Sequence, residues 1–239
     1  MTGERIKING ASQAGTPQAK CALLADEHPI VRLGIMTLLR QLDPEMVFLE
    51  ADSAKLAVEL ARSHSPSIAL IDLSIVGTDS FEGIKKLRLA APGMPILVIS
   101  HQDEKLYAER SVRAGARGYV MKTIAAKLIT KAIEAVRDGR IWLSESLRDE
   151  LVNRIANPVG AASTGDLQAL SDREMSVFKL IGQGLKKSGI ARELNLSPHT
   201  IESYRTNIKQ KLGIASGAEL YRIAFLHSEQ RSSLKGPEL

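Results

Sequence analysis

Five short apolar runs, each followed by an amphipathic stretch of helix length, set what this chain can fold into. The runs fall at residues 22–25, 46–49, 68–71, 96–99 and 118–121, and the amphipathic stretches at 28–42, 53–63, 79–90, 103–114 and 124–138. Repeated strand-then-helix order predicts a parallel sheet with helices on both faces. The runs are apolar throughout rather than alternating, as strands covered on both sides are. Turn residues agree: Ser65-Pro66 precedes the third run and Pro92-Gly93-Met94-Pro95 the fourth. Five such units have the size of a flavodoxin-like α/β domain, the (βα)5 arrangement.

The pattern changes after Gly139. Residues 139–165 read as a linker that contains a helix capped by Ser144, ending in the flexible stretch NPVGAASTG. From Leu170 no strand-like run recurs. Ser171-Asp172-Arg173-Glu174 is a capping box opening a helix to about Ile181. A short helix near 187–193 follows, Ser197-Pro198 starts a third, and a fourth spans about 217–227. The second domain is therefore an all-α unit of four helices, over residues 166–228, with a tail at 229–239. Residues 1–19 are polar and rich in Gly, Ser, Thr and Gln, which predicts a disordered leader before a domain at 20–138.

Composition narrows the setting. A hydrophobic content of 44% with 25% charged residues suits two ordinary globular cores. The single cysteine, Cys21, cannot form an internal disulfide and reads as a small apolar residue beginning a strand, which fits a reducing compartment. The leader lacks the apolar segment of a signal peptide, and no apolar run reaches bilayer length, so the expectation is a cytoplasmic protein with no membrane partner. A net charge of +5 is compatible with a polyanionic partner without establishing one.

The chemistry lies at the ends of the apolar runs. The first ends in Asp26-Glu27, the third in Asp72 and the fourth in Ser100, while Lys122 follows the fifth. In open parallel sheets ligands bind outside the carboxyl ends of the strands, where the strand order reverses. With strand order 2-1-3-4-5 the carboxylates of Asp26, Glu27 and Asp72 converge, and they would repel one another without a cation. Mg2+ fits such a group, since it takes one or two carboxylates and keeps several waters. A carboxylate beside Mg2+ and a lysine can act as a nucleophile toward phosphorus, giving an aspartyl phosphate on Asp72. Lys122 would then neutralise the phosphoryl oxygens, and the Ser100 hydroxyl would hydrogen-bond one of them. Taken singly, Asp26 and Ser100 also read as helix caps and Lys122 as a surface lysine; the combination carries the argument.

These segments resemble a known family. LLADEHPIVRLGI, ALIDLSIVGTDSFEGIKKLR, PILVISHQDE and AGARGYVMK are similar to the receiver domain of bacterial response regulators, over about residues 20–138. The resemblance implies that Asp26 and Glu27 are the metal-binding acidic pair and Asp72 the phospho-acceptor. It further implies that Ser100 is the switch hydroxyl, Tyr119 the switch aromatic and Lys122 the phosphate-sensing lysine, with the backbone carbonyl of Ser74 as a further metal ligand. Val76 and Thr123 stand where many receivers have proline, which predicts altered loops rather than lost chemistry. Tyr119 also reads as an aromatic packed in the core, and the residues alone leave both readings open.

In the helix from Pro198, Ile201, Tyr204, Ile208 and Leu212 form one apolar stripe. The other face carries His199, Thr200, Glu202, Ser203, Thr206 and Gln210, side chains able to meet base edges if the helix enters a major groove. Lys186, Lys187, Arg205 and Lys209 are the candidate phosphate contacts. Periodicity alone equally allows a solvated charged face. The segment LSDREMSVFKLIGQGLKKSGIARELNLSPHTIESYRTNIKQKLGI, however, resembles the LuxR-type helix-turn-helix of NarL/FixJ regulators. That resemblance implies DNA as a partner and a homodimer formed with help from the last helix. Gly189 stands where the family often has an acidic residue.

The expectation is thus a phosphorylation-controlled transcription factor, not an enzyme, served by a partner histidine kinase. A phosphohydrolase of the haloacid-dehalogenase type would need a second Asp two residues beyond Asp72, where this chain has Ser74. A regulator whose receiver acts only as a dimerisation or protein-binding module is the alternative.

Overall fold

The computed structural model describes residues 8–9, 20–75, 80–156 and 166–232. The chain divides into two compact units at Leu147. Among the described residues no helix is long and apolar enough to cross a membrane.

The first unit is built on one sheet: β1 (Ile8–Asn9), β2 (Cys21–Ala25), β3 (Val47–Ala51), β4 (Ile68–Ile71), β5 (Ile96–Ser100) and β6 (Gly118–Met121). The five strands expected from the apolar runs are parallel, in the order β3-β2-β4-β5-β6. Between them run α1 (Pro29–Leu42), α2 (Ala54–His64), α3 (Ser80–Ala90), α4 (Glu104–Ala114) and α5 (Ala126–Arg137). Helices α1 and α5 meet on one face, while α2, α3 and α4 pack in series on the other. Under the first pair lies a core of Leu24, Leu39, Phe48, Leu70, Leu97, Val120 and Ile133, all nearly sealed from solvent. Each such side chain contributes about 1.5–3 kcal/mol through burial, which is what holds the helices to the sheet.

β1 departs from expectation. Ile8 and Asn9, inside the predicted disordered leader, pair antiparallel with Leu49 and Phe48 of β3. An edge strand offers a row of free N–H and C=O groups to any extended segment nearby, a pull that composition does not register. The rest of the leader, Val76, residues 157–165 and the end of the tail lie outside the described residues.

The second unit carries a short 3-10 turn at Leu167–Ala169, then α7 (Asp172–Gly182), α8 (Lys187–Glu193), α9 (Pro198–Leu212) and α10 (Gly217–Ser232). A further helix, α6 (Glu145–Ala156), precedes them and contains the boundary between units. Ser171 and Glu174 form the expected capping box on α7. Ser144 caps α6, accepting from the Leu147 N–H at 3.2 Å. Asn195, in the turn between α8 and α9, has a left-handed backbone (φ 54°) that Asn tolerates better than most residues. α10 runs past the predicted end at 227 because nothing in the following residues breaks a helix; its last apolar residue is simply not its last turn.

Gly182 makes the closest helix crossing. A Cβ there would stand 2.3 Å from the Ala224 carbonyl oxygen, so only glycine lets α7 and α10 approach this far.

Candidate functional site

The strand order reverses between β2 and β4, and the two residues that follow these strands are Asp26 and Asp72. Backbone bonds extend the sheet by one residue to place them: the Asp72 N–H donates to the Ala25 carbonyl (2.8 Å) and the Asp26 N–H to that of Ala51 (3.1 Å). Both carboxylates are buried, at 3% and 4% exposure, where an unpaired charge would be costly. Lys122 compensates. Its Nζ lies 2.5 Å from Asp26 Oδ2 and 2.6 Å from Asp72 Oδ2.

The Lys122 backbone is fixed in turn, its N–H donating to the Ser100 carbonyl at 2.8 Å. Around Asp72, the Ser74 hydroxyl donates to Oδ2 at 2.8 Å and the Ser74 N–H to Oδ1 at 3.3 Å. Burial pushes the Asp72 carboxyl upward, but the Lys122 ammonium and the Ser74 bonds outweigh it and hold the group below its ordinary value. Asp72 is therefore an ionised, oriented carboxylate at neutral pH.

Ser100 is buried, and its Oγ accepts from the Gln102 N–H at 3.3 Å. Tyr119 is also buried, with its hydroxyl donating to the Gln102 carbonyl at 2.7 Å. In this structure the ring is a core residue whose hydroxyl also touches the segment following Ser100.

Glu27 is where the sequence reading and the geometry part. Its side chain is exposed, and it does not join the Asp26–Asp72 group. The third member is His28, which the sequence reading passed over. His28 sets its N–H (2.9 Å) and its Nδ1 (3.0 Å) against Asp26 Oδ1. The turn into α1 points residue 28 back over the strand end and residue 27 outward. His101 is a second imidazole beside the site: burial and the Lys122 ammonium lower its pKa, while Asp72 and Asp26 raise it.

Arg32 was also missed. Its guanidinium bonds the Asp26 carbonyl (2.7 Å) and Glu50 on β3 (2.9 Å), bracing the acidic turn. Only its position one turn into α1 from the acidic pair could have hinted at this.

The oxygens of Asp26 and Asp72 are of the kind a hard dication takes. Two buried carboxylates already share one cation in Lys122 Nζ, and their oxygens are the donors that could hold such an ion.

In the second unit, Ile201, Ile208 and Leu212 of α9 are buried and Tyr204 is half-buried, so the predicted apolar stripe faces inward. His199, Ser203 and Thr206 are exposed, as are Lys186 and Lys187 on the α8 side. Several of these polar groups are already engaged. The Thr200 hydroxyl meets the Ser197 hydroxyl at 2.8 Å at the start of α9. Ser203 and Thr206 donate back to the His199 and Glu202 carbonyls one turn earlier. Glu202 lies 3.6 Å from Lys187 Nζ and 4.0 Å from Arg205. Arg205 and Lys209 are half-buried, whereas Arg192, absent from the sequence reading, is an exposed cation on α8. Around Gly189 there is room for a side chain, since the nearest atoms to an added Cβ belong to Leu185 at 3.9 Å.

Comparison with known proteins agrees with this layout. Residues 22–134 match the response regulator receiver domain, and residues 168–224 match the bacterial regulatory proteins of the luxR family. The Fimbriae Z protein of Salmonella typhimurium strain LT2 is 32% identical over 205 residues, covering 86% of this chain and 96% of that protein. Response regulator GacA of Pseudomonas aeruginosa is 31% identical, covering 86% and 95%. Among solved structures, RcsB from Salmonella enterica serovar Typhimurium, bound to promoter rprA in the presence of phosphomimetic BeF3−, shares the fold with a TM-score of 0.66. It is 24% identical, covering 85% of this chain and 96% of that one. The chain therefore belongs to the NarL/FixJ-type response regulators of two-component systems, with an N-terminal receiver domain and a C-terminal LuxR-type helix-turn-helix.

Proposed function

We propose that this response regulator takes a phosphoryl group from a histidine kinase onto Asp72, and that the modified chain binds promoter DNA as a homodimer through α8 and α9. The observation that carries the reading is the Asp72 carboxylate itself: buried, ionised, at the topological switch point, and within 2.6 Å of a lysine ammonium.

Within that carboxylate the two oxygens differ. Oδ2 accepts from Lys122 Nζ and the Ser74 hydroxyl, while Oδ1 has one longer bond from the Ser74 N–H. Oδ1 thus keeps the lone pairs to attack phosphorus, forming an O–P bond as the phosphohistidine N–P bond breaks. Lys122 would pass from the carboxylate to the incoming phosphoryl oxygens. Ser100 would turn its hydroxyl from Gln102 toward the same group, freeing Tyr119 to follow. Mg2+, held by Asp26 and Asp72 with the Ser74 carbonyl as a further oxygen, would supply charge neutralisation for the transferred group.

On the DNA side, α9 would lie in the major groove with His199, Glu202, Ser203 and Thr206 toward base edges. Lys186, Lys187, Arg205 and Lys209 would contact phosphates, and Thr200 would help set the helix start. The α10 surface supports dimerisation: Tyr221, Phe225 and Leu226 are 46%, 39% and 49% exposed, and the two rings stack at 6.0 Å. Two-fold pairing of that kind implies a roughly palindromic operator.

The deciding experiment is intact mass after incubation with acetyl phosphate and Mg2+. One phosphoryl adduct on the wild type and none on Asp72→Asn is the expected result. A folded wild type without adduct would leave a regulator that works without phosphorylation.

A further inference from the structure

We propose that Arg32 is a positioning residue for the acidic site and that the leader strand β1 acts through it, by holding the edge strand β3 to which Arg32 is anchored. The Arg32 guanidinium spans two acceptors. Its Nε–H donates to Glu50 Oε2 on β3 at 2.9 Å, and an Nη1–H donates to the Asp26 carbonyl at 2.7 Å. The Arg32 and Glu50 side chains are only 13% and 14% exposed, so water competes weakly for their bond. The second bond goes to the Asp26 backbone, so Arg32 acts on where the Asp26 carboxylate stands.

Asp26 is thereby tied to β3 at both of its backbone groups. Its N–H donates to the Ala51 carbonyl at 3.1 Å, and its carbonyl is held through Arg32 by Glu50. The turn can be no better ordered than β3 itself. Within the parallel sheet β3 has a neighbour on one side only, β2. A strand so placed presents free backbone groups and opens more readily than a central one. β1 supplies the missing neighbour, pairing Asn9 with Phe48 and Ile8 with Leu49, directly before Glu50.

β1 lies outside the matched receiver domain, which begins at residue 22. Eleven residues separate Asn9 from Cys21. They can reach about 36 Å, and crossing from one side of β3 to the other takes only about 10 Å, so the same chain can supply the strand. The leader is thus an addition to the receiver at the strand that carries Glu50. Its effect on Mg2+ rests on the reading of Asp26 proposed above; the coupling from β1 to Arg32 does not.

The test compares the full wild-type chain with one carrying both Ile8→Pro and Asn9→Pro, since proline cannot donate to a strand ladder. Solution NMR reads two quantities: exchange of the Arg32 Nε–H with water, and Mg2+ affinity from the movement of the Asp72 amide resonance as MgCl2 is added. In the proline variant the Nε–H is expected to exchange at least about threefold faster, and Mg2+ to bind about threefold more weakly. Arg32→Ala should weaken Mg2+ by about tenfold. Adding the prolines to Arg32→Ala should change Mg2+ affinity by less than about 1.5-fold, because the route is already cut. Loss of folded protein would shrink these titrations without moving their midpoints. Wild-type exchange in the proline variant overturns the proposal, as does wild-type Mg2+ affinity in Arg32→Ala. A threefold loss from the prolines that persists in Arg32→Ala overturns it equally. Should Arg32→Ala misfold, Arg32→Met keeps the packing of the stem and takes its place. A wild type that binds no Mg2+, but whose Nε–H responds to the prolines, would sink the metal reading and leave the tie from β1 to Asp26 standing.

Discussion

Tyr119 donates its backbone N–H to the Trp142 carbonyl at 3.0 Å, and Trp142 donates its own to Arg117 at 2.9 Å. The segment after α5 therefore lies along the open edge of β6 as a strand-like strap, bridging Gly118. Gly118 has no room for a side chain, with Leu97 and Val136 both 2.9 Å from an added Cβ and Trp142 at 3.1 Å. Two residues on, the Ser144 hydroxyl reaches Glu104 of α4 and opens α6. Bonds thus run from Ser100 through Gln102 and Tyr119 to the base of the linker.

Trp142 is the sole tryptophan, which makes this path observable. Beryllofluoride with Mg2+ should change its fluorescence emission in the wild type and leave Asp72→Asn unchanged. Unaltered emission in a chain whose Asp72 is demonstrably modified would mean that the change at Ser100 stops short of the linker.

Lys122→Met removes the ammonium from between two buried carboxylates. Burial then acts on Asp72 without its main opposing charge, so its pKa should move from below its ordinary value to above it. In the wild type a depressed pKa supplies stability above the unfolded value of 3.8 that is lost as pH falls through the folded one. In the variant the sign reverses. Stability should fall as pH rises through the raised pKa, costing about 3–5 kcal/mol at neutral pH. Mg2+ should restore more stability to Lys122→Met than to the wild type, because no ammonium competes for the seat. Denaturant melts at several pH values, with and without Mg2+, read both effects, and a variant indifferent to pH would contradict them.

Much of this was legible before the fold was known, and the failures share a cause. Asp26, Asp72 and Lys122 follow strand ends and Ser100 closes one, and a strand end fixes where its neighbouring residue sits, so position in sequence became position in space. Glu27 and His28 lie one step further, in a turn, where side-chain direction depends on φ and ψ rather than on residue type. Ile8–Asn9 and the Trp142 strap are held by backbone pairing with a sheet edge, which leaves no hydrophobic period to read. On α9 the apolar stripe was plain because burial imposes a period. The engagement of Thr200 with Ser197, and of Glu202 with Lys187, depends on rotamers and on a second helix.

Glu174 ties α7 to α9 in a way that can be titrated. It completes the capping box by accepting from the Ser171 N–H (2.6 Å) and pairs with Lys211 at 2.6 Å. Burial raises its pKa, but the Lys211 and Ser171 bonds prevail and lower it. Its contribution is thus full above the unfolded value of 4.5 and is lost as pH falls through the depressed one. Glu174→Gln can keep the cap, so with Lys211 partly exposed it should cost less than about 1 kcal/mol. Glu174→Ala loses cap and pair, about 1–3 kcal/mol. Calorimetric melts of the full chain at pH 7 and pH 4 should show the difference between wild type and Glu174→Gln shrinking at the lower pH. A constant difference would remove the ion pair from the account.

Lys187 and Glu202 separate two kinds of DNA contact because they sit 3.6 Å apart with opposite charge. If Lys187 meets a phosphate, Lys187→Ala should weaken operator and random duplexes alike and reduce the slope of log affinity against log salt by about 1. Glu202→Gln removes a negative charge that faces the same duplex, so binding to random sequence should strengthen. Glu202 also draws on Lys187 and Arg205, and its loss leaves both cations free for phosphates. If its carboxylate additionally accepts from a base, the preference for operator should relax at one base pair, by about 1–3 kcal/mol. Anisotropy titrations over a range of salt on both duplexes distinguish the cases. A Glu202→Gln variant that strengthens operator and random DNA by the same factor assigns Glu202 to charge balance alone, and base selection must then lie with His199, Ser203 or Thr206.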